Sequence, residues 1–110
     1  MEITFKNKEL KKYANDSGAR NKKLGSIGAK LYYKRISDLK TARTLEDLRN
    51  MPGSFHELVG DRKGQWACYL EHPKRLIFEP HENPIPTDEN GRYIWVEIKG
   101  VDIVDIVDYH

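Results

Sequence analysis

Six of the ten basic and imidazole side chains in residues 51–110 form a candidate set for phosphodiester chemistry without a metal. They are His56, Arg62, Lys63, Lys74, Arg75 and His110. Imidazole can accept or donate a proton near neutral pH, and guanidinium binds phosphate oxygens and the negative charge that builds on them. In RNA the 2′-hydroxyl already lies beside the phosphate that it attacks. These residues therefore indicate metal-independent RNA cleavage as one interpretation.

Each of these side chains also has a purely structural interpretation. Arg62 and Lys63 fall in a predicted turn, and Arg75 at a strand start could form a surface salt bridge. His56 could be a half-buried histidine with satisfied hydrogen bonds, and His110 could be inert. The residue types and their spacing leave both interpretations open.

Other chemistries find little support in the sequence. The four histidines are dispersed, and none has the i, i+4 spacing of a zinc-binding helix. The single cysteine, Cys68, excludes an internal disulfide and a thiolate cluster, and it lies in a predicted buried strand. No glycine-rich phosphate loop or serine nucleophile motif is present. We therefore expect neither a metal nor a cofactor.

Charge is distributed unevenly along the chain. Residues 1–50 contain 13 Lys and Arg against 6 Asp and Glu, whereas residues 51–110 contain 6 against 11. Lys23, Lys30 and Lys34 have the spacing of one helix face, opposite the apolar arc of that helix. This basic half either contacts a polyanion or is simply solvated.

Apolar periodicity predicts helices first and a sheet afterwards. A strand at Ile3 and Phe5 precedes helices at 8–15, 21–42 and 44–49. Strands follow at 55–58, 65–71, 75–78, 93–98 and 101–109, with a long loop at 80–91. Arg35 falls in the apolar arc of the second helix, so we expect it to snorkel or to pair with a carboxylate of the sheet. This order predicts an α+β domain with helices packed on one sheet face.

The length of 110 residues indicates a single domain. No segment has the composition of a signal peptide or the length of a membrane span, so we expect a soluble, cytoplasmic protein. The last predicted strand would hold Tyr109 and His110 in fixed positions.

Three stretches occur in an order that matches a known family. Leu58, Gly60, Arg62, Gly64 and Trp66 fit the pattern L-x-G-x-R-x-G-x-W; residues 75–78 are similar to a W-R-[IL]-x-F strand; and residues 104–110 are similar to V-E-I-V-D-Y-H, with Asp105 for Glu. Residues 45–52 also fit a preceding L-x-x-L-x-x-x-P. The chain thereby resembles the HigB-like toxins of the RelE/ParE superfamily, found in bacterial type II toxin–antitoxin modules.

The resemblance implies a RelE-like α+β fold, with N-terminal helices packed on a curved antiparallel sheet. It implies a metal-independent endoribonuclease that cleaves mRNA on the ribosome, and a HigA-like helix-turn-helix antitoxin as partner. Relative to shorter family members, residues 81–100 would be an insertion within the single domain 1–110.

The resemblance also implies roles for individual residues. Arg75 would contact the scissile phosphate, and His110 would transfer a proton, with Asp108 and Tyr109 beside it. His56 matches a histidine found before the hairpin, and Arg62 matches a hairpin arginine. The candidate RNA-binding residues are Arg62, Lys63, Lys74, Lys23, Lys30 and Lys34.

The chain departs from the family pattern at four positions. Leu58, Val59 and Glu71 stand where some relatives are basic, and Lys74 replaces a tryptophan. Lys74 cannot share a face with Arg75 if both lie in one strand. Two alternatives stay open: a non-enzymatic, ParE-like gyrase poison, and a catalytically weak domain that binds its antitoxin.

Overall fold

Five strands form one sheet in the order β1-β5-β4-β3-β2 in the computed structural model, which describes residues 1–108. The strands are β1 (Glu2–Phe5), β2 (His56–Glu57), β3 (Trp66–Tyr69), β4 (Lys74–Pro80) and β5 (Gly100–Asp108). β2, β3, β4 and β5 pair antiparallel, and β1 pairs parallel to β5. The predicted α+β class is confirmed, but the sheet is mixed rather than purely antiparallel.

Two helices connect β1 to the rest of the sheet. Helix α1 (Lys8–Asn15) has the predicted bounds, and Asn7 caps it by accepting a hydrogen bond from the Leu10 amide at 2.9 Å. Helix α2 (Ser17–Thr41) begins earlier than predicted because Asp16 caps it in the same way, at 3.1 Å from the Ala19 amide.

Gly25 interrupts α2. Its φ of 76° lies in the left-handed region, which breaks the helical path between Lys23 and the rest of the helix. Lys23 therefore does not continue the helical face of Lys30 and Lys34, contrary to the single basic stripe that the sequence predicted. Of the three lysines, Lys34 lies 3.6 Å from Asp38 in an i, i+4 ion pair.

The main core lies between the helices and one face of the sheet. Alternate residues of β3 and β4, including Trp66, Cys68, Leu76 and Phe78, are fully buried there. The opposite face carries a smaller apolar cluster of Ala67, Ile77 and Val104, flanked by Leu58 and Val107. We call this second surface the open face, because neither α1 nor α2 contributes to its apolar cluster.

The connection between β4 and β5 differs from the sequence prediction. Residues 93–98 do not form a strand: Tyr93 makes one isolated bridge to Thr87, and Trp95–Glu97 is a 3₁₀ turn. Trp95 is buried edge-on against Trp66, with ring centroids 5.5 Å apart. This contact holds the segment against the core instead of in the sheet.

A second 3₁₀ segment, Leu45–Asn50, replaces the predicted third helix. No helix within residues 1–108 is both long and apolar enough to cross a bilayer.

Cys68 lies in a buried strand, as predicted, and burial raises the pKa of its thiol, with Asp38 adding to the effect and Arg35 opposing it. Above about pH 8.5 the thiol ionises in the unfolded chain but keeps its proton in the folded one. The free energy of unfolding should therefore fall with pH more steeply than in Cys68→Ala, by about 1.4 kcal/mol per pH unit. Urea unfolding at about pH 8, 9 and 10 measures this free energy for both proteins. Equal slopes of the unfolding free energy against pH for wild type and Cys68→Ala would contradict the prediction.

Candidate functional site

Tyr69 is the centre of a polar cluster on the open face. The Arg75 guanidinium carbon lies 3.9 Å from the centroid of the Tyr69 ring, and the His56 ring meets the same ring edge-on at 6.3 Å. The Tyr69 residue is 42% exposed. We call His56, Tyr69 and Arg75 the tyrosine cluster; it joins two of the predicted catalytic residues across β2, β3 and β4.

Strand register brings these three residues together. Tyr69 pairs with Arg75, and Ala67, two residues earlier on β3, pairs with His56. Because side chains alternate along a strand, Tyr69 shares the open face with Ala67. The guanidinium is attracted to the electron-rich face of the ring. Arg75 Nη1 also donates to the Lys74 carbonyl oxygen at 3.1 Å, which holds the side chain against its own strand.

The backbone of Tyr69 is held from both sides. Its N–H donates to the Gly53 carbonyl oxygen at 2.8 Å, and its own carbonyl oxygen accepts from Arg35 Nε at 2.8 Å. The sequence predicted that Arg35 would snorkel or pair with a sheet carboxylate. Arg35 is instead buried and donates to this backbone carbonyl oxygen. Gly53 has a φ of 118°, and a Cβ there would lie 2.7 Å from Arg35 Nε. Only glycine fits this position.

His56 has a defined tautomer when neutral. Its Nδ1 lies 2.6 Å from the Ser54 carbonyl oxygen, which can only accept, so Nδ1 carries the proton. Nε2 then has a lone pair and can accept a proton from a substrate. The exposed position of the residue makes this atom compatible with the role of a general base.

The hairpin cations lie away from the tyrosine cluster. Arg62 Nη1 donates to Gln65 Oε1 at 2.9 Å, and Lys63 Nζ lies 5.7 Å from the centroid of the Tyr93 ring. Gln65 precedes the start of β3, whereas Tyr69 ends it, and three residues of strand from Trp66 to Tyr69 span about 10 Å. The structure therefore does not bring Arg62 or Lys63 to Arg75.

Lys74 and Asp108 occupy the opposite face of the sheet from Arg75. They pair in register, and together with Lys23, Leu24 and Ile106 they line a cleft of about 300 Å³ against α2. The expected separation of Lys74 from Arg75 is confirmed. Asp108 is not brought to the tyrosine cluster, but Lys23 and Lys74, which are distant in sequence, share one cleft. Lys30 lies elsewhere, beside Tyr33 and Arg20.

Tyr109 and His110 lie outside the described residues, so their assigned roles stay predictions. The strand that precedes them is placed, since Val107 of β5 pairs with Arg75. Within residues 1–108, no group of three His, Cys, Asp or Glu side chains is arranged to hold a metal ion.

Sequence reasoning missed Tyr69, Arg35 and Gly53 as parts of the site. A signal for Tyr69 existed, because the predicted strands at 65–71 and 75–78 are joined by a short turn, and pairing them across it places Tyr69 near Arg75. Nothing local marks Gly53 as the neighbour of Arg35, since that contact joins residues far apart in sequence.

The fold of the chain is similar to that of a known toxin structure. A solved structure described as the YoeB/ParE toxin from Agrobacterium tumefaciens superimposes with a TM-score of 0.50, at 11% sequence identity, over 100% of both chains. At this identity the likeness shows a shared fold. No protein-family model matches the sequence, and no curated protein matches it significantly.

Arg35→Met should destabilise the protein by leaving the Tyr69 carbonyl oxygen without its donor. We expect the free energy of unfolding to fall by about 1 to 3 kcal/mol. Arg43→Met, at an exposed position, is the matched control and should change it by less than about 0.5 kcal/mol. Urea unfolding measures both changes, and equal effects would show that the hydrogen bond from Arg35 Nε to the Tyr69 carbonyl oxygen does not stabilise the protein.

Proposed function

We propose that the chain is the toxin of a type II toxin–antitoxin module and inhibits translation by cleaving mRNA on the ribosome without a metal. The tyrosine cluster carries this proposal, because it places a guanidinium, an aromatic ring and an imidazole together on an exposed surface. The fold likeness to a YoeB/ParE toxin and the HigB-like motifs support it.

The cluster can serve each step of RNA cleavage. Arg75 would bind the scissile phosphate and the charge that develops on it, while the Tyr69 ring would hold the guanidinium in position. His56 Nε2 would take the proton of the 2′-hydroxyl as the 2′-oxygen bonds to phosphorus. The bond from phosphorus to the 5′-oxygen then breaks, and His110 would donate a proton to that oxygen. A cyclic phosphate and a 5′-hydroxyl result.

Binding to the ribosome would use other surfaces. The cleft of Lys23 and Lys74, which Asp108 also lines, would present its cations to a ribosomal RNA backbone. Lys30 would add charge farther along α2, where Lys34 is already ion-paired with Asp38. The partner that controls the toxin would be a HigA-like helix-turn-helix antitoxin in the cytoplasm.

Arg75→Ala should lower mRNA cleavage by about 10²- to 10³-fold, because the transition-state charge loses its donor. Arg75→Lys should retain part of the activity, since an ammonium keeps the charge but not the bidentate geometry. Arg43→Ala, at an exposed position, is the control and should cleave like wild type. Cut sites are mapped on cellular mRNA after induction.

Two outcomes of that experiment would contradict the proposal. Toxicity with intact mRNA and trapped DNA cleavage complexes would identify a gyrase poison. Neither toxicity nor cleavage by the wild-type chain would identify a domain that only binds its antitoxin.

His56→Gln should abolish proton transfer while its amide can still donate to the Ser54 carbonyl oxygen. We expect a loss of about 10²- to 10⁴-fold in the rate of ribosome-dependent cleavage.

His110→Ala should cause a loss of similar size, because His110 is proposed to protonate the leaving oxygen. Rates equal to wild type for either variant would remove that residue from the mechanism.

A further inference from the structure

A groove of about 690 Å³ lies between the Leu45–Asn50 segment and residues 91–96, apart from the tyrosine cluster. We call it the aromatic groove. The lining residues that matter for binding are Arg49, Glu57, Lys63, Arg92, Tyr93 and Trp95. Nothing in the proposed cleavage mechanism uses this groove.

The carboxylates of the aromatic groove are already engaged. Arg49 contacts Glu46 at 2.9 Å and Glu57 at 3.5 Å, and the second oxygen of Glu57 accepts the Trp95 indole N–H at 2.7 Å. Within residues 1–108, neither Lys63 nor Arg92 has a carboxylate at ion-pair distance. Arg49, Lys63 and Arg92 carry three positive charges against the two negative charges of Glu46 and Glu57, so the net charge of the lining is +1.

The aromatic part of the groove is rigid. Tyr93 packs against Trp95 with ring centroids 5.0 Å apart, and Trp95 packs in turn on the fully buried Trp66. Tyr93 is half-buried, and Lys63 Nζ lies 5.7 Å from its ring centroid. A fixed ring beside a lining of net positive charge is an arrangement that can bind a base and its phosphate in single-stranded nucleic acid.

We propose that the aromatic groove binds single-stranded RNA that flanks the cleavage position. His56 and Glu57 are adjacent residues of β2, the edge strand of the sheet; His56 belongs to the tyrosine cluster and Glu57 lines the groove. An RNA strand that passes around this edge reaches both. The link to cleavage rests on the proposed function, whereas RNA binding by the groove does not.

Charge reversal tests the cations of the groove. Fluorescence anisotropy with a labelled, single-stranded oligouridine should show at least tenfold weaker binding by Lys63→Glu/Arg92→Glu. The slope of log affinity against log salt should fall by about 1.4, that is about 0.7 for each lost phosphate contact. Lys6→Glu/Arg43→Glu changes the net charge equally at exposed positions outside the groove. At about 0.15 M salt, screening should keep its affinity within about threefold of wild type.

Substitution of Tyr93 tests stacking. Tyr93→Phe should bind like wild type, whereas Tyr93→Leu should bind about 5- to 150-fold more weakly. The charge-reversal pair keeps the test valid if Tyr93→Leu fails to fold, because Lys63 and Arg92 are exposed.

Three results would overturn the proposal. In the first, the two charge-reversal variants bind the RNA with equal affinity. In the second, a folded Tyr93→Leu binds it as tightly as wild type. In the third, oligoglutamate at equal charge concentration displaces the RNA. The last would show that the groove recognises charge alone, as for an acidic protein segment. Cleavage mapping with Arg75→Ala tests the proposed function separately, because anisotropy requires no cleavage.

Discussion

The candidate site depends on two hydrogen bonds that hold the backbone of Tyr69 in place. A buried guanidinium is costly unless its N–H groups find acceptors, and Arg35 meets this need by donating to the Tyr69 carbonyl oxygen. The same arginine leaves no room for a side chain at Gly53, whose carbonyl oxygen accepts the Tyr69 N–H. Helix α2 and the segment before β2 thus hold one residue of β3, and that residue positions Arg75 and His56.

Alternation along the strands then divides the chemistry between two surfaces. Arg75 faces outward over Tyr69, whereas Lys74 and Asp108 face α2 beside Lys23. Adjacent residues of one strand thereby lie on different surfaces of the sheet, with Arg75 on the open face and Lys74 in the cleft that Lys23 also lines. The HigB-like sequence motif puts Asp108 next to the proposed catalytic residues, but the pleat of β5 places Asp108 on the other side of the sheet from Arg75.

Local features of the fold could be predicted from the sequence, and features set by distant contacts could not. Helix α1, the burial of Cys68 and the opposed directions of Lys74 and Arg75 follow from periodicity and capping alone. The parallel pairing of β1 with β5 and the 3₁₀ turn at Trp95 follow from contacts across the whole chain. Tyr69 was missed for a related reason, since its role depends on register rather than on its own type.

The open face itself offers little charge to hold RNA. Beyond Arg75, β4 and β5 present Glu79 and Asp102 as a register pair, and Asp102 accepts a hydrogen bond from Thr4. These carboxylates repel phosphate, so a strand of RNA lying along β4 would be confined to the end of the sheet where Tyr69 and Arg75 lie. In the proposed function, affinity for RNA would therefore come from outside the open face, from the Lys23–Lys74 cleft, the aromatic groove or the ribosome. Under the proposed function, such a division would let the tyrosine cluster position one phosphate while cleavage of free RNA stayed weak.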